Sequence, residues 1–173
     1  MSNAFIYRMP AGIPGEVTRR EHSTIEPGIY DTTYPVTKFG VPVKIVSGKV
    51  RPFAAADTIT TYLASGLGGF LVRPYPTQYT SNEALGTATP NTATIANVMK
   101  RGYMMVKVEA SLPAVVPAKE GIVYCRKTDH GASEYIIGGV ESDADAAKCE
   151  AIPNCFFTGA MDADGNCEIA FNI

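Results

Sequence analysis

The chain contains no tryptophan and only two histidines, His22 and His130. Without indole, a sugar-binding face built on aromatic platforms would have to use tyrosines, with Tyr75 and Tyr79 beside a loop as candidates. The four cysteines, Cys125, Cys149, Cys155 and Cys167, end in the spacing C-x5-C-x11-C, which matches no zinc signature, and both histidines lie outside that cluster. Charged residues make up only 18% and the net charge is −2, which argues against bulk nucleic-acid binding, and no nucleic-acid partner is expected. No apolar run approaches the roughly eighteen residues of a membrane helix, and no membrane partner is expected. The N-terminus lacks the basic-then-apolar pattern of a signal peptide. Synthesis in the cytoplasm is therefore expected, with the thiols free and filling a β core.

The 173 residues suit one core. Residues 1–31 carry Pro10, Pro14 and Pro27, each near a glycine, and these are expected to interrupt every helix or strand there. The stretch also holds Phe5, Ile6, Tyr7, Met9, Ile13, Val17, Ile25, Ile29 and Tyr30, which makes it too apolar for an ordinary disordered tail. It reads as an extended N-terminal arm, Met1 to Asp31, ahead of a body from Thr32 to Ile173. Burying those side chains does not offset the backbone entropy of ordering the arm. Hydrogen bonds to a neighbouring sheet edge, or a large partner surface, must supply the remainder. Arg19-Arg20 lies on the arm, where a partner's carboxylate could pair with it.

From Tyr34 onward, short β-prone runs alternate with turn residues. Val36, Val41, Val43 and Ile45 alternate with polar or punctuating residues, and Ser47-Gly48 reads as a turn before KVRPF. FLVRPYP is a strand stopped by Pro74 and Pro76, and residues 77–94, rich in threonine, read as a long exposed loop. Ile95 to Lys100 reads as a helical turn and Tyr103 to Glu109 as a strand. GIVYCRK and EYIIGGV are further strands, and residues 142–151 have helix composition with Ser142 as N-cap. FFTGAM and NCEIAFNI close the chain as a hairpin through Asp162 to Gly165. The expected fold is mainly β: a barrel or sandwich body with one or two short helices, preceded by the arm.

Motifs that could carry chemistry have simpler readings. Cys125 and His130 resemble a thiol and its base only by sequence proximity, and a strand cysteine beside a turn histidine is the expected arrangement. Asp162 and Asp164 with Gly165 begin like a calcium loop, but the glycine comes early and the twelfth position is the terminal Ile173, so a hairpin turn is expected. Gly66, Gly68 and Gly69 precede a strand, whereas a phosphate cradle needs a helix behind its glycines. Lys100-Arg101 and Arg126-Lys127 read as solvated faces. No catalytic residue, cofactor or metal is expected. Charge is unevenly distributed: residues 1–140 carry 14 basic and 10 acidic groups, and residues 141–173 one basic and seven acidic. Opposite-sign ends suit patch-to-patch contacts, and a solvated acidic loop around Asp143 fits equally.

IPGEVTR at 13–19, GFLVRPYPTQ at 69–78, MKRGYMMVKV at 99–108 and DADGNCEIAFNI at 162–173 occur in that order. Together these strings resemble the structural cement, or head decoration, proteins of tailed bacteriophages, from the arm to the final residue. The resemblance implies a non-enzymatic virion component on the outer surface of the expanded head, clamping neighbouring subunits of the major capsid protein and meeting further copies of itself. The family transfers no catalytic or contact residues; with the arm as the reaching element, Phe5, Ile6, Tyr7, Arg8, Ile13, Val17, Arg19 and Arg20 are the expected capsid contacts. The alternative from another class is a virion-displayed carbohydrate- or host-surface-binding β module using the Thr-rich loop, Tyr75 and Tyr79.

Overall fold

The computed structural model describes residues 12–55, 57, 59, 67–74, 89–109, 115–129, 135–145 and 148–173. Nine strands run in the order β1 (Thr24–Tyr30), β2 (Pro42–Val46), β3 (Lys49–Pro52), β4 (Leu67–Val72), β5 (Ile95–Lys107), β6 (Ile122–Arg126), β7 (Val140–Glu141), β8 (Cys149–Phe157) and β9 (Asn166–Phe171). Among the described residues, helical structure is a 3-10 turn at Arg20–His22 and 3-10 conformation at Asp145. The mainly β expectation is borne out.

The pairing closes on itself. β1 runs antiparallel to β5, from Thr24 opposite Arg101 to Ile29 opposite Ile95, and parallel to β3 at Ile29–Lys49 and Tyr30–Val50. Because β3, β2, β4 and β5 are already neighbours in that order, β1 completes a ring of five strands. β5 then continues past the ring, and its residues 102–107 pair with β9. From β9 the sheet proceeds through β8 and β6 to β7. A parallel bridge between Val108 and Val140, with the Glu109 N–H donating to the Val140 carbonyl at 2.8 Å, returns β7 to the end of β5. Two closed arrangements thus share one 13-residue strand, and closure leaves few free edges.

Alternation along β5 explains the sharing. Ala96 and Val98 enter one core with Tyr30, Val43, Val50 and Leu71. Met104, Val106 and Val108 enter the other, with Phe70, Val123, Ile152, Phe157, Ile169 and Phe171. The helical turn expected at Ile95 to Lys100 is therefore corrected: those residues are the first half of β5, held by β1 and β4 on its two edges. Of the helix expected over residues 142–151, Asp145 takes 3-10 conformation, residues 146 and 147 lie outside the described residues, and Cys149 onward is strand. The Ser142 hydroxyl donates to the Val115 carbonyl instead of capping, Asp143 accepts the Asp145 N–H in a tight turn, and β8 starts at Cys149 to bury that thiol, Ile152 and Cys155. Of the expected EYIIGGV strand, Val140 belongs to β7; Glu134 lies outside the described residues.

Proline and glycine do not break β1. Pro27 stands opposite Asn97 in the ladder, and having no N–H it must turn its nitrogen away from β5, the one placement a strand tolerates. Gly28 fits because a Cβ there would lie 2.8 Å from Val50 Cγ2. The two-residue connection between β2 and β3 has Ser47 at φ 51° and Gly48 at φ 76°, a type I′ turn as that dipeptide suggests. The β8–β9 hairpin also forms as expected, with Gly165 donating to the Asp162 carbonyl.

Candidate functional site

The leading segment does find a sheet edge, and for the described part that edge belongs to its own body. Gly15 N–H donates to the Met105 carbonyl at 2.8 Å, Met105 N–H to Glu16 at 2.9 Å, and Thr18 N–H to Tyr103 at 3.1 Å. Val17 bridges Met104 and is buried in the larger core. Gly15, at φ 88°, lies so close to the neighbouring loop that a Cβ would meet Phe39 Cβ at 2.7 Å. Residues 15–18 thus act as a short extra strand on β5, and Thr24–Tyr30 is β1. The expectation that no strand passes through residues 1–31 is corrected to that extent.

Side chains fasten the same segment. Glu168 of β9 accepts the Thr18 hydroxyl, the Thr158 hydroxyl at 2.6 Å and Arg19 Nη2 at 2.8 Å. Burial raises the Glu168 carboxyl, but hydrogen bonds from Thr158, Thr18 and Arg19 outweigh it and hold the group below the usual carboxylate range. The Arg19 guanidinium also sits 4.0 Å from the centre of the Tyr103 ring. Behind this clamp, Arg20, Glu21 and His22 form the exposed 3-10 turn, and an open depression of about 710 Å³ lies against Glu16–His22.

The residues expected as contacts are therefore distributed. Phe5, Ile6, Tyr7 and Arg8 lie outside the described residues. Ile13 is half-buried, Val17 is in the core, Arg19 is paired with Glu168 of the same chain, and Arg20 is exposed. Tyr75, Tyr79, residues 77–88 of the Thr-rich loop, Gly66 and His130 also lie outside the described residues.

Other motifs resolve into structure. All four cysteines are free and buried. Burial pushes the Cys149 thiol up to about 12 and Cys167 up to about 11, with Cys125 and Cys155 also raised, so none is poised as a thiolate nucleophile. Asp162 spends its carboxylate on its own turn, accepting the Asp164 and Asn166 N–H groups at 2.9 and 2.8 Å. Gly69 serves close strand approach, since a Cβ there would lie 2.3 Å from the Met99 carbonyl oxygen.

Sequence reading missed a buried ion cluster. Arg126, expected on a solvated face, is 1% exposed; it donates to Glu141 at 2.7 Å and to Asp145 at 2.8 Å, under the Tyr135 ring. Glu109, beside the Val108–Val140 bridge, is buried and paired with Lys38 at 3.1 Å. Burial raises both Glu109 and Glu141, against the pull of Lys38 and Arg126 respectively. The acidic C-terminal section thus spends much of its charge internally: Glu141 and Asp145 on Arg126, Glu150 on Lys127 and Glu168 on Arg19.

The chain matches a family model and several solved structures. A family model described as structural cement protein (E217 gp24/Pam3 gp6) matches residues 1–172. A solved structure, described as the capsid of Myoviridae phage XM1, superposes with a TM-score of 0.72 at 19% identity, covering 99% of this chain and 97% of that one. At that identity the superposition speaks for the fold. No curated protein matches the chain.

Proposed function

Because the chain belongs to the structural cement proteins of bacteriophages, capsid-associated components of the virion, we propose that it binds the outside of the expanded head and clamps neighbouring major capsid subunits. The family match over residues 1–172 carries this reading. The physics agrees with it. Packed DNA pushes capsomers apart, and many copies, each bridging a seam and meeting other copies on the lattice, sum small increments by avidity. A protein that binds only the assembled, expanded lattice stabilises it by mass action. A body with nearly closed strand pairing suits that role, since it resists edge-to-edge aggregation before it reaches the shell.

On this reading the leading residues Phe5, Ile6, Tyr7 and Arg8, with Ile13 and Arg20, reach the capsid, while Val17 and Arg19 anchor the base of that segment to the body. The test removes residues 1–11 and leaves Gly12 onward intact. A deeper cut would also take Val17 and Arg19 and disturb the fold. Expanded heads made without the chain are incubated with each version, then heated. The full chain should saturate the heads and raise the temperature of DNA release, and the shortened chain should bind more weakly. Heads equally robust with and without the full chain would end the cement reading.

A further inference from the structure

The larger strand arrangement is closed by unequal junctions. β5 and β9 pair from Gly102 opposite Phe171 to Lys107 opposite Asn166, and β6 pairs with β8 from Ile122 to Arg126. β7 holds to β6 through Tyr124 opposite Glu141 and Cys125 opposite Val140. Arg126 N–H on the Gly139 carbonyl at 3.0 Å and Gly138 N–H on the Arg126 carbonyl at 2.8 Å reinforce that pair. The return of β7 to β5 rests on much less. Among the described residues it is the Val108–Val140 bridge and the Glu109 N–H on the Val140 carbonyl at 2.8 Å. Val108 and Val140, both fully buried, seal the core side of this seam.

The other side of the seam is built from charge. Glu109 follows Val108 and Glu141 follows Val140, so both carboxylates lie on the face away from the core. Each lip carries a buried acid with its own base. On the β5 lip, Glu109 accepts Lys38 Nζ at 3.1 Å; Lys38 comes from the connection between β1 and β2, and Lys107 of β5 adds a further positive charge. On the β7 lip, Glu141 accepts Arg126 Nε at 2.7 Å. Arg126 also holds Asp145 at 2.8 Å beneath the Tyr135 ring, with Asp143 and the neutral Cys149 thiol nearby. Among the described residues no ion pair joins the two lips. What crosses the seam is repulsion between Glu109 and Glu141. The Glu109 stem also passes over Gly139, where a Cβ would meet its Cγ at 2.5 Å.

We propose that the β5–β7 seam is a proton-governed opening of the folded body: β7 swings off β5 while staying on β6, and ionisation of Glu109 and Glu141 drives the two lips apart. The inference is independent of the cement reading. Burial holds both carboxyls above the usual range in the closed seam. Opening gives them water and separates their charges, so the open form releases protons more readily. Rising pH therefore favours opening, from about 4.3 up to the closed-state values, where the effect levels off. Lys38, Lys107 and Arg126 stay charged throughout, and Asp145 remains with Arg126 on the β7 lip, so its titration leaves the seam unchanged.

Native-state hydrogen exchange on the full chain, read residue by residue by NMR at low urea and corrected for intrinsic rates, tests this. The Glu109 amide should exchange through an opening smaller than global unfolding. Its protection relative to Val108 should fall severalfold as pH goes from about 4 to 7. The Val108 amide, bonded to the Gly165 carbonyl at 2.9 Å on the β9 side, and the Arg126 and Gly138 amides should stay protected. Glu109→Gln and Glu141→Gln, where thermal unfolding shows a fold like the parent's, should flatten the pH dependence. If Glu109 exchanges only together with Val108, through global unfolding, the seam does not open. Exchange of Arg126 and Gly138 alongside Glu109 would move the opening to β6 and overturn the proposal. Relative protection in the parent that stays constant with pH would remove the carboxylates from it. These three readings come from the parent chain and need no variant to fold.

Discussion

Arg19 and Glu168 are separated by 149 positions in the chain and meet at 2.8 Å. This pair fastens the leading segment to β9, the last strand of the body.

Removing the Glu168 carboxylate should loosen that attachment without unfolding the protein. Arg19 is half-exposed, so the ion pair itself contributes about 0–1 kcal/mol, and its contact with Tyr103 a comparable amount. Glu168→Gln should therefore lower stability by about 1 kcal/mol in urea unfolding. Hydrogen exchange should rise at Thr18 and Met105, whose amides hold residues 16–18 against β5. Unchanged exchange there would show that the backbone ladder holds the segment alone.

Acid should weaken the fold through one set of carboxylates. Asp31, Asp145 and Glu168 are held below the usual range, Asp31 chiefly by the Thr33 N–H, Asp145 chiefly by Arg126 and Glu168 by its three donors. Groups depressed on folding add stability above their unfolded values, and that stability is lost as pH falls below about 4. The midpoint of thermal unfolding should drop over that window, and less steeply in Glu168→Gln.

Glu109 works in the opposite sense. Its folded value is raised by burial, with Lys38 opposing and Glu141 reinforcing the rise. Stability tied to its protonated form is present below about 4.3 and fades as pH climbs through the folded value. Glu109→Gln should thus gain on the parent as pH goes from about 4 to 7, measured as the difference in melting temperature. A constant difference would mean that Lys38 cancels the burial effect.

Two glycines should respond unequally to alanine. At Gly48 nothing lies within 4 Å of an added Cβ, so Gly48→Ala should cost about 1 kcal/mol, from its positive φ alone. At Gly69 the φ is 133° and the Cβ would overlap the Met99 carbonyl at 2.3 Å, so Gly69→Ala should separate β4 from β5 and cost several times more. Chemical denaturation of both variants checks the order.

The larger core should be sensitive where its two walls meet. Phe70 of β4 and Phe171 of β9 pack edge to face with centroids 5.2 Å apart. Phe171→Ala leaves a cavity that neither strand can close, and the expected loss is roughly 3–5 kcal/mol.

Strand positions were legible wherever the alternation was local. Val43 and Ile45 with the Ser47-Gly48 turn, GIVYCRK, and the hairpin through Asp162 to Gly165 all read correctly, because period-2 burial and turn chemistry are properties of neighbouring residues. Ile95 to Lys100 read wrongly because its two edges are held by β1 and β4, which are remote in sequence. Arg126 read wrongly for the same reason: whether a cation is solvated depends on Glu141 and Asp145 being folded beside it. The apolar excess of the leading stretch was visible, but not the surface it lies on.

Composition, patterning and turn residues by themselves pointed to a mainly β chain with buried thiols and a hairpin turn at Asp162 to Gly165, and the ordered strings pointed to the cement family. The tertiary structure decided that β1 joins the body, that two strand arrangements share β5, and that Arg19 is spent on Glu168. Local sequence encodes which face of a strand is apolar; only the closing of distant strands determines which of those faces are covered.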